Sequence, residues 1–140
     1  MTPAAIEVTD VADAEAHRAI GERLRRYNVE QSGIDDSRPL NVVVRDPVLG
    51  TIVGGITGRT SLGLLFIDLF FLPPGSRRAG LGTRVIRAAE DEARRRGCVA
   101  SVLVTINFQA PGFYERNGYR VMGAVDCLPG VQRIFMTKRL

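Results

Sequence analysis

Two apolar periods alternate along the chain, and each change of period marks an element. Leu64 to Leu72 is the most apolar run, interrupted by Asp68 and stopped at Pro73-Pro74. Its length and its bounding prolines predict a strand. Upstream, Asn41 to Arg45 and Thr51 to Thr60 predict two more strands. They are joined by Asp46-Pro47-Val48-Leu49-Gly50, where proline and glycine supply the dihedrals of a reversal. Leu81 to Arg96 has a different character. Leu81, Val85, Ala89 and Ala93 recur every four residues, which predicts a helix with one apolar face that stops at Gly97. An earlier helix over Val11 to Tyr27 follows from Ala16, Ile20, Leu24 and Tyr27 at the same spacing. Thr9 or Asp10 is its expected cap, and Glu15, Arg18, Glu22, Arg25 and Arg26 form its opposite side.

The remaining segments complete the pattern. Asn28 to Pro39 is polar and is expected as a loop. Cys98 to Thr105 predicts a buried strand, and Gly112 to Asn117 a short helix bracketed by Pro111 and Gly118. Tyr119 to Val125 and Val131 to Lys138 predict two closing strands, and Ala4 to Val8 a weak first one. The expected order is β-α-β-β-β-α-β-α-β-β, an α/β (α+β type) chain with a mixed sheet and helices on its faces.

Composition narrows the function classes. The 140 residues suit a single domain over 1–140, and 45% hydrophobic with 24% charged residues is a globular balance. Cys98, Cys127 and the lone His17 have no metal-ligand spacing, so neither a zinc site nor a histidine-based triad is expected. Cys98 reads as a small core residue. Leu62 to Leu72 is too short to span a bilayer, and no signal peptide opens the chain, so a cytoplasmic location without a membrane partner is expected. The formal charge of +4 leaves room for an anionic partner. Of the 19 basic residues all but Lys138 are arginines, which suit bidentate phosphate contacts but also follow from a biased genome. Arg23-Leu24-Arg25-Arg26 reads as a solvated helix face rather than a nucleic-acid patch. The chain has no Trp, and its aromatics lie in apolar strands rather than among the arginines.

Candidate chemistry begins at Arg77-Arg78-Ala79-Gly80-Leu81-Gly82-Thr83, which follows an apolar strand and opens a helix. The first turn of a helix has unpaired N–H groups and partial positive charge, and glycines there let backbone approach an anion closely. No Gly-Lys-Ser/Thr follows, so this is not a P-loop. Alone, the pattern is equally a turn that needs glycine. Asn107-Phe108-Gln109-Ala110-Pro111-Gly112-Phe113-Tyr114, followed by Gly118-Tyr119, adds a second motif. Together the two resemble the GNAT superfamily of acetyl-CoA-dependent N-acetyltransferases. Arg77, Gly80 and Gly82 match its Arg/Gln-x-x-Gly-x-Gly turn. Asn107, Ala110, Tyr114, Gly118 and Tyr119 match Asn-x-x-Ala-x-x-x-Tyr followed by Gly-aromatic. The order of elements agrees over nearly the whole chain.

The resemblance implies a mostly antiparallel sheet whose two central parallel strands splay apart around the cofactor's pantetheine arm. It implies that Phe70, Phe71 and Leu72 bond that arm through backbone, and that Arg78, Ala79, Gly80, Leu81, Gly82 and Thr83 hold the pyrophosphate. Arg77 and Arg78 add charge, although many members carry glycine where Arg78 stands. It further implies cofactor contacts from Asn107 and Ala110, with Tyr114 as the acid that protonates the leaving thiolate. A phenol keeps its proton at neutral pH and can donate it. Asp68, an acid in an apolar run, is a candidate base or substrate anchor, with a bond to backbone or a neighbouring arginine as the plain alternative. A regular strand would put Phe66, Asp68, Phe70 and Leu72 on one face; a bulge, common in this strand of the family, would alter that parity. The implied activity is direct acetyl transfer from acetyl-CoA to a primary amine of a small molecule or peptide in a ternary complex, without metal. A homodimer, common in the superfamily, is left open. The alternative is an acyl-CoA-binding module without catalysis.

Overall fold

The structure is a computed structural model that describes residues 2–12, 14–76 and 80–140. The chain divides into a unit over Met1–Asp35 and a larger one over Asp36–Leu140. The first contains α1 (Ala14–Ser32), none of whose residues is buried. Ile20, Leu24 and Tyr27 of its expected apolar stripe are all exposed. α1 runs five residues beyond Tyr27, where a loop was expected. Asn28 to Gln31 carry no helix breaker, and the stop comes at Gly33, which takes a left-handed φ of 72°. The Ser32 hydroxyl donates to the Asn28 carbonyl at 2.7 Å, and Arg25 pairs with Asp35. The weak first strand does not form, since no regular element precedes α1 among the described residues. Five residues with a short apolar alternation do not hold a strand without a ladder partner.

The second unit holds β1 (Arg38–Arg45), β2 (Ile52–Ser61), β3 (Leu64–Phe71), a 3₁₀ turn (Pro74–Ser76), α2 (Leu81–Arg95), β4 (Ala100–Ile106), α3 (Pro111–Arg116), β5 (Arg120–Asp126) and β6 (Gln132–Arg139). The strands form one sheet in the order β1-β2-β3-β4-β6-β5, and only β3 and β4 pair in parallel. A parallel neighbour cannot be reached by a tight turn, so the connection runs through α2. That helix lays Val85, Ile86, Ala89 and Ala93 against a core including Leu40, Ile56, Leu65, Ile67, Leu103 and Met136. Arg96, just past the end of α2, is largely buried. It donates to the Pro39 carbonyl at 3.0 Å and to the Thr60 hydroxyl at 3.1 Å, tying the end of α2 to β1 and β2.

β3 carries the irregularity that matters most. Thr57 pairs with Leu69 and Gly58 with Ile67, so Asp68 is an extra residue in the ladder. Such a bulge advances the face pattern by one position. Leu65 and Ile67 face the core before it, and Leu72, with partly buried Phe70, faces the core after it. The parity of a regular strand is thereby replaced: Phe70 and Leu72 share a face with Leu65 and Ile67. Gly58 sits opposite the bulge, where a Cβ would run into the Phe66 carbonyl. Gly58→Ala is expected to cost about 1–3 kcal/mol, as other overpacking changes do. Thermal unfolding checks it, and an unchanged midpoint would mean that this close approach is not required.

Candidate active site

The β3–β4 ladder starts at Leu64↔Ala100 and ends at Ile67↔Leu103, one residue before the bulge. Beyond that point β3 stays paired with β2 as far as Gly55↔Phe71, while β4 stays paired with β6 as far as Ile106↔Arg133. The two central strands therefore part, each held by its outer neighbour. A cleft of about 520 Å³ opens where they do, with Phe70, Phe71 and Leu72 on one wall and Gln109, Ala110 and Tyr114 on the other.

The start of α2 closes one end of this cleft. Gly80, the N-cap, takes a left-handed conformation with φ 73° and has no side chain to cap the helix, so among the described residues the first-turn N–H groups have neither an intrahelical acceptor nor a side-chain cap. Gly82 lines the cleft and is buried, and a Cβ there would stand 3.0 Å from the Phe113 ring. Leu81 packs partly against the core, and Thr83 is half-buried in the same turn. Uncapped donors, partial positive charge and a glycine surface together fit a pyrophosphate group. Arg77, Arg78 and Ala79, expected to share in this turn, lie outside the described residues.

Tyr114 stands on the cleft wall with 9% of its surface exposed. Its ring meets Phe70, Phe113 and Tyr119 edge-on, with centroids 6.1, 5.3 and 6.0 Å away. This aromatic packing fixes the ring. Burial pushes its hydroxyl up to about 12, so the phenol keeps its proton throughout the neutral range. Tyr119 lies behind it, donating to Ser101 Oγ at 2.8 Å, and is likewise raised by burial. Lys138 approaches the Tyr119 ring and pairs with the buried Glu90 at 2.9 Å.

The other expected site residues are placed differently. Asp68 does not line the cleft. It is exposed at the bulge, 3.4 Å from Arg59, whose guanidinium sits 4.2 Å over the Phe66 ring. The carboxylate–arginine bond named above as the plain alternative is thus present. Asn107 also stands outside the cleft. Its Oδ1 accepts from the Gln132 N–H at 2.9 Å and its Nδ2 donates to the Gly130 carbonyl at 3.1 Å, so the amide holds the β5–β6 turn. Ala110 is the residue preceding α3 and does line the cleft. Gln109, Phe113 and Arg116 line it without having been singled out from the sequence. Only their place inside or just after the Asn107–Tyr114 motif could have drawn attention to them. Among the described residues no three His, Cys, Asp or Glu side chains gather as a metal site would require. No helix among them is long and apolar enough to cross a membrane.

Residues 8–119 match the acetyltransferase (GNAT) family. An acetyltransferase of Agrobacterium fabrum is 38% identical over 127 residues, covering 91% of this chain and 92% of the relative. Blasticidin-S acetyltransferase of Streptomyces morookaense is 37% identical over 116 residues, covering 80% and 85%. A crystallised Agrobacterium tumefaciens protein superposes with a TM-score of 0.86 at 35% identity, covering 98% of this chain and 100% of that one.

Proposed function

Because the chain belongs to the GNAT acetyltransferase family, whose members draw on acetyl-CoA and act on amines, it is an acyltransferase, and we propose that it moves the acetyl group to a primary amine by direct transfer in a ternary complex. The observation that carries this reading is the cleft between the parted strands, with a buried protonated phenol on one wall and an uncapped helix start at one end. In this reading the α2 turn takes the pyrophosphate, the backbone at Phe70 to Leu72 lies along the pantetheine arm, and Tyr114 faces the thioester sulfur.

When bound, acetyl-CoA supplies an acyl carbon open to attack by a neutral amine. An alkyl ammonium is only about one part in a thousand neutral at pH 7, so it must shed a proton first. The amine nitrogen then bonds to the acyl carbon, the carbon–sulfur bond breaks, and the nitrogen, cationic after attack, gives up its second proton to solvent. The departing sulfur takes the proton that Tyr114 holds, and the phenolate recovers one from solvent. Asp68 is the proposed acceptor of the amine's proton. Its support is its place at the bulge, beside the point where the strands part. Asp68→Asn is expected to lower kcat about a hundredfold, the low end for a general base. Steady-state kinetics checks it, and wild-type turnover would assign the carboxylate to its Arg59 pair alone.

The acceptor is proposed to be a small-molecule amine, a reading supported by the relative named for blasticidin S. A panel of blasticidin S, polyamines, amino acids and short peptides, followed by free-thiol release, tests both parts. Release with a small amine supports the proposal. Acetyl-CoA binding without transfer to any acceptor would leave a non-catalytic acyl-CoA-binding module.

A further inference from the structure

We propose that Gln109, rather than Asn107, provides the side-chain amide that grips the pantetheine arm; the proposal rests on the cleft being the acetyl-CoA site. The Asn107 N–H donates to the Gln132 carbonyl at 3.0 Å, so at this end of β4 the odd positions turn toward β6. The Ile106 N–H therefore turns to the other edge, which β3 has already left. Gln109 folds back over that edge. Its Oε1 accepts from the Ile106 N–H at 3.0 Å and from the Thr105 hydroxyl at 3.2 Å.

These two bonds orient the carboxamide. A backbone N–H can only donate, so the atom facing Ile106 must be the amide oxygen. Nε2, fixed by the plane of the same group, is then the end not used by β4. No acceptor takes its hydrogens among the described residues, and Gln109 lines the cleft. Asn107 is in the opposite condition, since both ends of its amide are held by the β5–β6 turn. A ligand arm that fills the cleft displaces water from Nε2, which is unfavourable unless the ligand returns an acceptor. The pantetheine arm carries two amide carbonyls, and one of them is the acceptor assigned to Nε2. The oxygen end of Gln109 thus serves the protein, and its nitrogen end serves the ligand.

Gln109→Glu separates the two ends. It keeps an oxygen for Ile106 and Thr105 and replaces the donor with a second oxygen. Calorimetry would compare coenzyme A with 3′,5′-ADP, the fragment that lacks the pantetheine arm. The variant is expected to bind coenzyme A roughly tenfold more weakly, the scale of one lost bond with an unmatched carbonyl. Its affinity for 3′,5′-ADP is expected to stay within about twofold and its Tm within about 2 °C, as for a change that spares the folded contacts. Asn107→Ala is expected to leave coenzyme A affinity within about twofold, since its amide does not reach the arm. Gln109→Met, which lacks both ends, should reproduce the loss of coenzyme A affinity. Wild-type affinity in Gln109→Glu would overturn the proposal, as would an equal loss on 3′,5′-ADP or a tenfold loss confined to Asn107→Ala. The cleft reading fails separately, if the wild-type protein does not bind coenzyme A or if Gly82→Glu binds it normally.

Discussion

Gly82→Glu is expected to abolish acetyl-CoA binding in calorimetry, a loss of about a thousandfold or more. Gly82 is in the first turn of α2, where the N–H groups point out of the helix and, among the described residues, no side chain caps them. A Cβ there already presses on the Phe113 ring at 3.0 Å and meets Leu72 at 3.6 Å. A glutamate must therefore send its carboxylate toward the cleft. Two effects then act together: the side chain takes up space where the ligand's phosphates would sit, and its charge repels them while satisfying the helix start itself. Gly82→Ala separates these effects, because a methyl group crowds Phe113 without adding charge. It should lower affinity far less. Normal binding by Gly82→Glu, with the fold intact by circular dichroism, would remove the pyrophosphate from this turn.

The second large effect is expected at Tyr114. Tyr114→Phe removes one oxygen and keeps the ring against Phe70, Phe113 and Tyr119. Turnover should fall by about 10²–10³, within the range of a lost general acid, while acetyl-CoA affinity stays near wild type. Rapid-mixing kinetics would separate chemistry from product release, and an unchanged chemical rate would take Tyr114 out of the acid role. The pH dependence follows from burial. Because burial pushes the hydroxyl up to about 12, Tyr114 stays protonated well past neutrality, and its ionisation should not limit turnover below about pH 11. The same shift bears on stability. The unfolded phenol ionises near its ordinary value of 10 and the folded one later, so the contribution is fully present below pH 10. It is lost as pH rises through 12. Tyr119, also raised, acts in the same direction. Alkaline unfolding of Tyr114→Phe should accordingly depend less steeply on pH than that of the wild type.

The elements most legible in the sequence are those whose burial follows a local period. The sequence pattern predicts α2 over Leu81 to Arg96, and the helix ends at Arg95, because Val85, Ala89 and Ala93 repeat at helical spacing and Gly97 terminates the run. β3 to β6 fall within a residue or two of expectation for a related reason: each is a short apolar run closed by proline, glycine or a polar turn. Ala4 to Val8 shows the limit of that reasoning. Its alternation is weak, and a strand depends on a partner that local pattern does not supply. The same limit applies to α1, where a mostly polar stretch, Asn28-Val29-Glu30-Gln31, hides a helix that runs on to Ser32 and stops at Gly33.

For the candidate site, sequence alone determined the list of parts. The glycine turn, the Asn107–Tyr114 motif and their order are local features, written in consecutive residues and readable without a partner. Tertiary structure decided how those parts are used. Whether Asp68 is a bulge depends on which residues of β2 lie opposite it, and the register change at Thr57/Gly58 is a relation between two strands. Whether Asn107 or Gln109 turns its amide to the cleft depends on Gln132, distant in the chain but adjacent across the sheet. An amide goes where its strongest unmet donors and acceptors are, and those belong to the neighbouring strand. A local code names the side chain; the backbone groups that chain folding brings beside it decide which end of that side chain is left for a ligand.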